Sequence, residues 1–345
     1  MIGWYAHHHG QGHITRARTV IAHMADDVTL FSSHPAPDVT VLPVDVAAPR
    51  SAGCAAAPPP VNLHYAPLGI DGVRERMATL AAWVDAHDPD LFVVDVSVEV
   101  AALMRLLGIP TAVVRQHGRR DDAAHEMCYR NASLLLAPYP EWLEDRWVPQ
   151  WMRERTVYTG GFSRGDARTP RQADPQPLPA GEEGRRVVVV LTGAGGTGGW
   201  PVQQAARATP GWRWIAVGTP TPKTAEHGIG WVDNPRDWLR AADVVVTHAG
   251  HNAVMEAAAT GRPTIVIPED RPFDEQRYKA KRLQETGATH VELAWPSAAR
   301  WPDLLDRVTA APAWPRPLID GHGAQRAADA LVRTAQSLGR QVQHA

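Results

Sequence analysis

Short segments in which every residue is apolar recur along this chain, among them Leu91-Phe92-Val93-Val94, Val187-Val188-Val189-Val190-Leu191 and Val244-Val245-Val246. A strand with one face in water alternates apolar and polar residues, whereas a strand that is apolar throughout must be covered on both faces. Such strands are expected at 2–6, 28–32, 40–44, 91–94, 111–114, 133–137, 187–191, 212–217, 244–247 and 264–267. Helical patterns fall between them at 14–25, 73–86, 98–107 and 252–260, the last two closed by Gly108 and Gly261. Alternation of this kind predicts an α/β protein with parallel sheets sandwiched by helices. Parallel sheets bind ligands at the carboxyl ends of their strands, which is where the motifs below lie.

A chain of 345 residues is long for one core and fits two domains. The Pro-rich stretch 168–184 reads as the linker, with an N-terminal domain at 1–167, a C-terminal domain at 185–322 and a last helix within 323–345. A second Pro/Ala-rich break, 47–60, reads as a loop. The formal net charge of −2 gives no support to a nucleic-acid partner. Cys54 and Cys128 form neither a disulfide framework nor a ligand cluster, which fits a reducing cytoplasm. No apolar run approaches the roughly 20 residues of a membrane helix, and the first residues lack the plan of a secretory signal. Stable membrane insertion is therefore not expected, although peripheral contact is compatible with the sequence.

Gly10-Gln11-Gly12-His13 follows the first strand and opens the first helix. Glycines allow a sharp turn and close approach of a ligand to the backbone. His13, in the first helical turn, is suited to take a proton from a hydroxyl near neutral pH, and equally to cap or pack. Thr15 stands where a dinucleotide fingerprint needs its third glycine, and no acid follows the second strand, so an NAD site is not expected. His7 and His9 would share a strand face, but no carboxylate or thiolate neighbours them in sequence, and no metal site is assigned.

Asp95 closes a buried strand just before a helix. It can orient a catalytic histidine, or it (or Ser97) can cap that helix. Asp88-Pro89-Asp90 spells a metal-binding DxD but precedes its strand, away from the cleft, and reads as a turn. A second glycine loop, with Gly193, Gly195 and Gly198, follows the strand at 187–191; no acid follows the next strand, which leaves backbone contact with a phosphate as its reading.

The densest motif is residues 248–276. His248 ends a strand, and Gly250, His251 and Asn252 begin a helix whose N-terminus suits a diphosphate. Glu256, four residues past Asn252 and on its face, can accept from a ribose diol. Asp274 and Gln276 lie in the polar loop after the next strand.

These residues resemble the nucleotide-sugar signature of inverting GT-B glycosyltransferases, both the UDP-glycosyltransferases and the peptidoglycan N-acetylglucosaminyltransferase. The resemblance is dense from Gly230 to about Thr289 and extends to the N-terminal motifs. It implies two Rossmann-like domains facing a cleft, with the last helix (about 324–338) crossing back onto the first domain. It further implies a metal-independent, inverting hexosyltransferase that uses no cofactor, with a UDP-sugar as donor and a small-molecule, lipid or glycan acceptor. His13 takes the place of the general base and Asp95 that of its support. His248 and Asn252 fall at the diphosphate, Glu256 at the ribose, Val232 at the base, and Asp274 and Gln276 at the sugar, with Gly12, Gly193, Gly195, Gly250 and His251 expected in the same nucleotide-sugar site. Ala253 replaces the usual phosphate-binding serine, His251 stands in place of the usual tryptophan, and Glu275 separates Asp274 from Gln276. Alternatives on the same architecture are a sugar-nucleotide epimerase and a non-catalytic nucleotide-sugar-binding protein. Trp142, Trp147 and Trp151 are expected to pack beneath the interdomain surface, and Arg115–Arg120 to form a solvated loop.

Overall fold

The segments that are apolar throughout become buried parallel strands. A computed structural model describes residues 1–8, 11–46, 49–55, 57–58, 60–164, 184–193, 199–218, 227–230, 232 and 234–342. In the N-terminal half, β1 (Ile2–Ala6), β2 (Val28–Ser32), β3 (Val39–Val41), β4 (Leu91–Asp95), β5 (Thr111–Val114), β6 (Leu134–Ala137) and β7 (Thr156–Tyr158) form one sheet. Its order is β3-β2-β1-β4-β5-β6-β7, with every pairing parallel. The helices of this half are α1 (Gly12–Ile21), α2 (Ala52–Ala55), α3 (Asp71–His87), α4 (Val98–Leu106), α5 (Ala123–Asn131) and α6 (Gln150–Glu154).

The C-terminal half repeats the plan. Strands β8 (Arg186–Leu191), β9 (Trp212–Val217), β10 (His227–Gly230), β11 (Val244–Thr247), β12 (Thr264–Val266) and β13 (His290–Val291) are ordered β10-β9-β8-β11-β12-β13, again all parallel. Around them lie α7 (Val202–Ala208), α8 (Arg236–Ala241), α9 (His251–Thr260), α10 (Glu275–Glu285), α11 (Trp301–Ala310) and α12 (Gly323–Val342). In each sheet the strand order reverses beside the first strand, between β1 and β4 and between β8 and β11. The crevice at such a reversal is the ligand site of doubly wound folds.

Strands whose signal was apolar fall within a residue or two of expectation, except the edge strand β3, which is shorter. Helices α2, α6, α7, α8, α10 and α11 were not among the expected helices, and the short strands β7, β10 and β13 and helix α5 were not foreseen either. Their sequences are polar or mixed (Ala-Ala-His-Glu-Met-Cys-Tyr-Arg-Asn in α5), and only tertiary packing defines them. The expected linker 168–184 lies outside the described residues apart from Gly184.

Helix α12 returns to the N-terminal domain, as expected. Ala324, Ala327, Ala328 and Leu331 pack with Ile14, Ala17 and Val20 of α1 in one buried cluster. The return is made at close backbone range: Gly161 N donates to Leu318 O at 2.8 Å, and a Cβ on Gly323 would stand 2.5 Å from Gly161 O. Replacing the fully buried Leu331 by Ala should cost roughly 2–5 kcal/mol. Urea unfolding measures this, and a loss under 1 kcal/mol would mean that α12 is not part of the core.

Candidate active site

Both reversal points open into one shared cavity of about 650 Å³. Its walls include Gly12, His13, Arg16 and Glu99 from the first domain and Gly193, His248, His251 and Glu256 from the second. The two helix N-termini meet across it, Asn252 Nδ2 donating to Gly12 O at 3.0 Å. A side chain at position 12 would crowd that contact, since its Cβ would lie 3.3 Å from Asn252 Nδ2.

At the first crevice, the first turn of α1 delivers His13 and the end of β4 delivers Asp95. His13 Nδ1 lies 3.0 Å from Asp95 Oδ1. Ser97, not Asp95, caps α4, its Oγ accepting from Val100 N at 3.2 Å. That leaves the fully buried Asp95 for His13 and for Arg16, which donates from Nε at 2.9 Å and from Nη2 at 2.6 Å. Burial works against the Asp95 charge, but Arg16 and then His13 outweigh it and hold the carboxyl well below the usual carboxylate range. Arg16 Nη2 also lies 2.9 Å from His13 Nδ1. Arg16 Nη2 carries a second proton beyond the one given to Asp95, so His13 Nδ1 is held between guanidinium and carboxylate, and Nε2 is the ring nitrogen that takes no part in this cluster. Arg16 escaped the sequence reading, although its position one turn after His13 placed it on the same helix face.

The second crevice is built to receive an anion. Helix α9 begins at Gly250 with no side-chain cap and no acid in its first turn, so its first amides are uncommitted by side chains. His248 Nδ1 accepts from Gly250 N at 3.0 Å, which places the ring proton on Nε2. Among the described residues that Nε2 is buried without a hydrogen-bond partner, and it faces Gly193, where a Cβ would come within 2.7 Å of it. Burial, then Arg271 and Lys279, push the His248 pKa down to about 4, so it acts as a neutral donor. His251 is likewise buried with its Nε2 unpartnered among the described residues, its pKa held well below the ordinary value by burial and then Lys279. Asn252 spends one amide proton on Gly12, so its role is shared between domain contact and ligand. Glu256 accepts from Arg164 Nε at 2.7 Å; burial pushes its carboxyl up and Arg164 opposes the shift. Val232 lines the cavity near Gly218 and Pro235. Gly195 lies outside the described residues.

The loop before α10 corrects one expectation. Phe273 (φ 60°) and Asp274 (φ 53°) are consecutive left-handed residues, and this turn leaves Asp274 exposed and off the cavity wall. Glu275 lines the cavity in its stead. Burial opposes its charge, but Lys279 and Arg120 hold its carboxyl below the usual range. Gln276 is buried, its Oε1 accepting from Ala249 N and Glu269 N, each at 3.0 Å, and its Nε2 lies 3.3 Å from His248 Nδ1. Its amide oxygen thus steadies the His248 turn, while the residue itself lies on the cavity wall.

Around the first domain's lobe, sequence and structure also part. The segment Arg115–Arg120 is not a solvated loop. Arg115 is buried against Glu144 at 2.5 Å, and Arg120 is buried in the cavity wall. Helix α5 brings His125 to Asp122 (Nδ1 to Oδ2, 2.6 Å), and His64 Nε2 reaches Asp122 Oδ1 at 2.8 Å, a cluster invisible in sequence because His64 is far away along the chain. These groups are spaced like metal ligands. Arg120 Nη1, however, lies 3.1 Å from His125 Nε2, which fixes the lone pair there and the proton on Nδ1. In that tautomer the imidazole offers no lone pair towards Asp122 for a cation. Burial, then Arg120 against the help of Asp122, pushes the His125 pKa down to about 4. His7 and His8 stack at 4.7 Å and His8 Nε2 lies 3.6 Å from Asp45, because β1 ends at Ala6 and strand alternation ends with it. His9 lies outside the described residues. Asp88 closes α3 at φ 42° and Asp90 pairs with the amino terminus at 2.6 Å, as a turn should. The three tryptophans pack: Trp142 against the second domain's core cluster, Trp147 and Trp151 against the first's.

Residues 222–294 match the glycosyltransferase family 28 C-terminal domain. The chain has a GT-B fold, and part of its C-terminal lobe is similar to the family 28 C-terminal domain. Its curated relatives include the UDP-N-acetylglucosamine–N-acetylmuramyl-(pentapeptide) pyrophosphoryl-undecaprenol N-acetylglucosamine transferase of Sorangium cellulosum, 32% identical over 112 residues. That stretch is 32% of this chain and 28% of the relative, so the match spans about a third of either. An uncharacterized glycosyltransferase of Methanopyrus kandleri is 30% identical over 110 residues, 31% of each chain. Among solved structures, the spinosyn rhamnosyltransferase SpnG superposes with a TM-score of 0.65 at 16% identity, over 97% of this chain and 99% of that one. MurG of Acinetobacter baumannii does so at 0.57 and 14% identity, over 100% and 99%. These likenesses establish the GT-B fold over the whole length, and the family 28 match falls on the lobe that carries His248, Glu256 and Gln276.

Asp95→Ala would strip the buried Arg16 of both acceptors and should cost roughly 3–5 kcal/mol at pH 7. A depressed carboxyl stabilises the fold above its unfolded pKa of about 3.9 and loses that contribution as pH falls through its folded value. In urea unfolding, the gap between wild type and variant should accordingly narrow below about pH 4; a gap independent of pH would contradict the assignment.

Proposed function

We propose that this GT-B protein transfers a hexose from a UDP-sugar to an acceptor hydroxyl, with inversion and without a metal. The observation that carries this reading is that His13 and the α9 N-terminus, one from each domain, face a single cavity. His13 Nε2 takes the acceptor proton while Asp95 holds Nδ1. The freed oxygen attacks the anomeric carbon from the side opposite the diphosphate, and the bond from that carbon to the phosphate oxygen breaks. Its electron pair stays on the departing UDP. The charge there is met by His248 Nε2–H and the first amides of α9, preorganised donors in a largely enclosed site. The nucleotide base would lie against Val232, the ribose diol would take Glu256 from Arg164, and the donor sugar would meet Glu275. UDP is favoured because the sequence relatives of the C-terminal lobe are named for UDP-N-acetylglucosamine.

The cytoplasm is the compartment proposed, in keeping with two free cysteines and, among the described residues, no helix long and apolar enough to cross a membrane. The epimerase reading has no use for the lobe around His64, Glu99 and His125, which offers room for a second substrate.

His13→Ala should lower transfer by on the order of 10²–10⁴ while UDP binding is kept. Near-wild-type turnover in that variant, followed as UDP release, would exclude His13 as the base. Excess EDTA should leave the wild-type rate unchanged.

A further inference from the structure

The first domain's lobe of the cavity has walls and charges that the transfer chemistry does not use. Its floor is apolar: Val98, Val113, Cys128 and Tyr129 are all buried and line it. Val96 lines it as well, held at φ 67°. That conformation costs a β-branched residue roughly 1–3 kcal/mol, and it sets the Val96 backbone in a left-handed turn immediately after Asp95. Phe273, from the opposite domain, closes the rim against His64 at 5.2 Å and His125 at 4.8 Å between ring centroids.

The polar groups around this floor are unbalanced in charge. Three carboxylates stand here, Glu99, Asp122 and Glu275. Hydrogen bonds from His125 and His64 outweigh burial and hold Asp122 below the usual carboxylate range. Glu99 accepts from His64 N (2.7 Å), Tyr65 N (2.9 Å) and Ser97 Oγ (2.9 Å), neutral donors that hold it without neutralising it. Two cations answer them: Lys279 Nζ lies 3.7 Å from Glu275, and Arg120 is fully engaged, donating to His117 O at 3.1 Å and to Gln116 Oε1 at 3.0 Å, meeting His125 Nε2 at 3.1 Å and lying 3.6 Å from Glu275, so that among the described residues Glu99 is left without a cation of its own. The other cavity arginines are bound to their own carboxylates, Arg16 to Asp95, Arg164 to Glu256 and Arg271 to Glu269. An anion entering this lobe would meet the uncompensated charge of Glu99, which has only neutral donors among the described residues.

We propose that this lobe is the acceptor subsite and that it takes an apolar, hydroxyl-bearing acceptor without negative charge, rejecting one that carries a phosphate or carboxylate. The proposal rests on the transferase reading of the cavity, but binding tests it without turnover. The probes are the methyl ester of a hydroxynaphthoic acid and the free acid, titrated by calorimetry into UDP-saturated protein. They share ring and hydroxyl and differ by one charge. The ester should bind on the order of tenfold more tightly than the carboxylate. Glu99→Gln keeps the shape and the Ser97 contact while removing one charge, and should narrow that gap about threefold or more. Equal or tighter binding of the carboxylate, no binding of the ester, or a gap unchanged by Glu99→Gln would each overturn the proposal. Ester binding with no sugar transfer from any nucleotide sugar would instead leave it standing and overturn the transferase reading.

Discussion

Two helix N-termini, α1 and α9, face each other at contact distance, and the rest of the site depends on this juxtaposition. The hydrogen bond from Asn252 Nδ2 to Gly12 O is its visible seam. Each terminus brings unpaired amides and a partial positive charge, which would repel across a narrow gap if nothing anionic lay nearby. Carboxylates supply that compensation: the buried Asp95 beside α1 and Glu256 on α9, and the half-buried Glu275 at the start of α10. Their partners Arg16, Arg164 and Lys279 or Arg120 then complete a closely matched polar interface between two apolar cores. The same arrangement places a base from one domain and a leaving-group site from the other on a single cavity.

Much of this was legible along the chain because its signals are local. Valine runs such as 187–191 and 244–247 allow no structure but a covered strand, and a glycine turn after a strand fixes where the next helix begins. Asp95 and His248 were therefore legible at strand ends and His13 in the first turn of α1. What failed was register and partnership. The 270–276 loop carries Asp274 away from the cavity and Glu275 into it because two non-glycine residues adopt left-handed φ, which propensity disfavours and tertiary contact enforces. Arg119 N donating to Phe273 O at 2.8 Å is part of that enforcement, and it comes from the other domain.

Arginines were the other blind spot. In sequence, Arg16 and Arg120 look like any solvated helix or loop cation. In the fold they are 5% and 4% exposed, and each organises a catalytic-site carboxylate or histidine. A charge run signals solvent on average, but a buried bidentate guanidinium is decided by residues nearly 80 positions away, as Asp95 is from Arg16. The His64–Asp122–His125 cluster was hidden for the same reason.

The central claim is that the α9 N-terminus and His248 together grip a nucleoside diphosphate facing His13. A crystal structure of the protein with UDP tests it most directly. The account predicts the distal phosphate within hydrogen-bond distance of His248 Nε2 and of the first amides of α9, with the uracil against Val232. A nucleotide seated instead on the Gly12 turn of the first domain, or phosphates with no contact to His248, would contradict it.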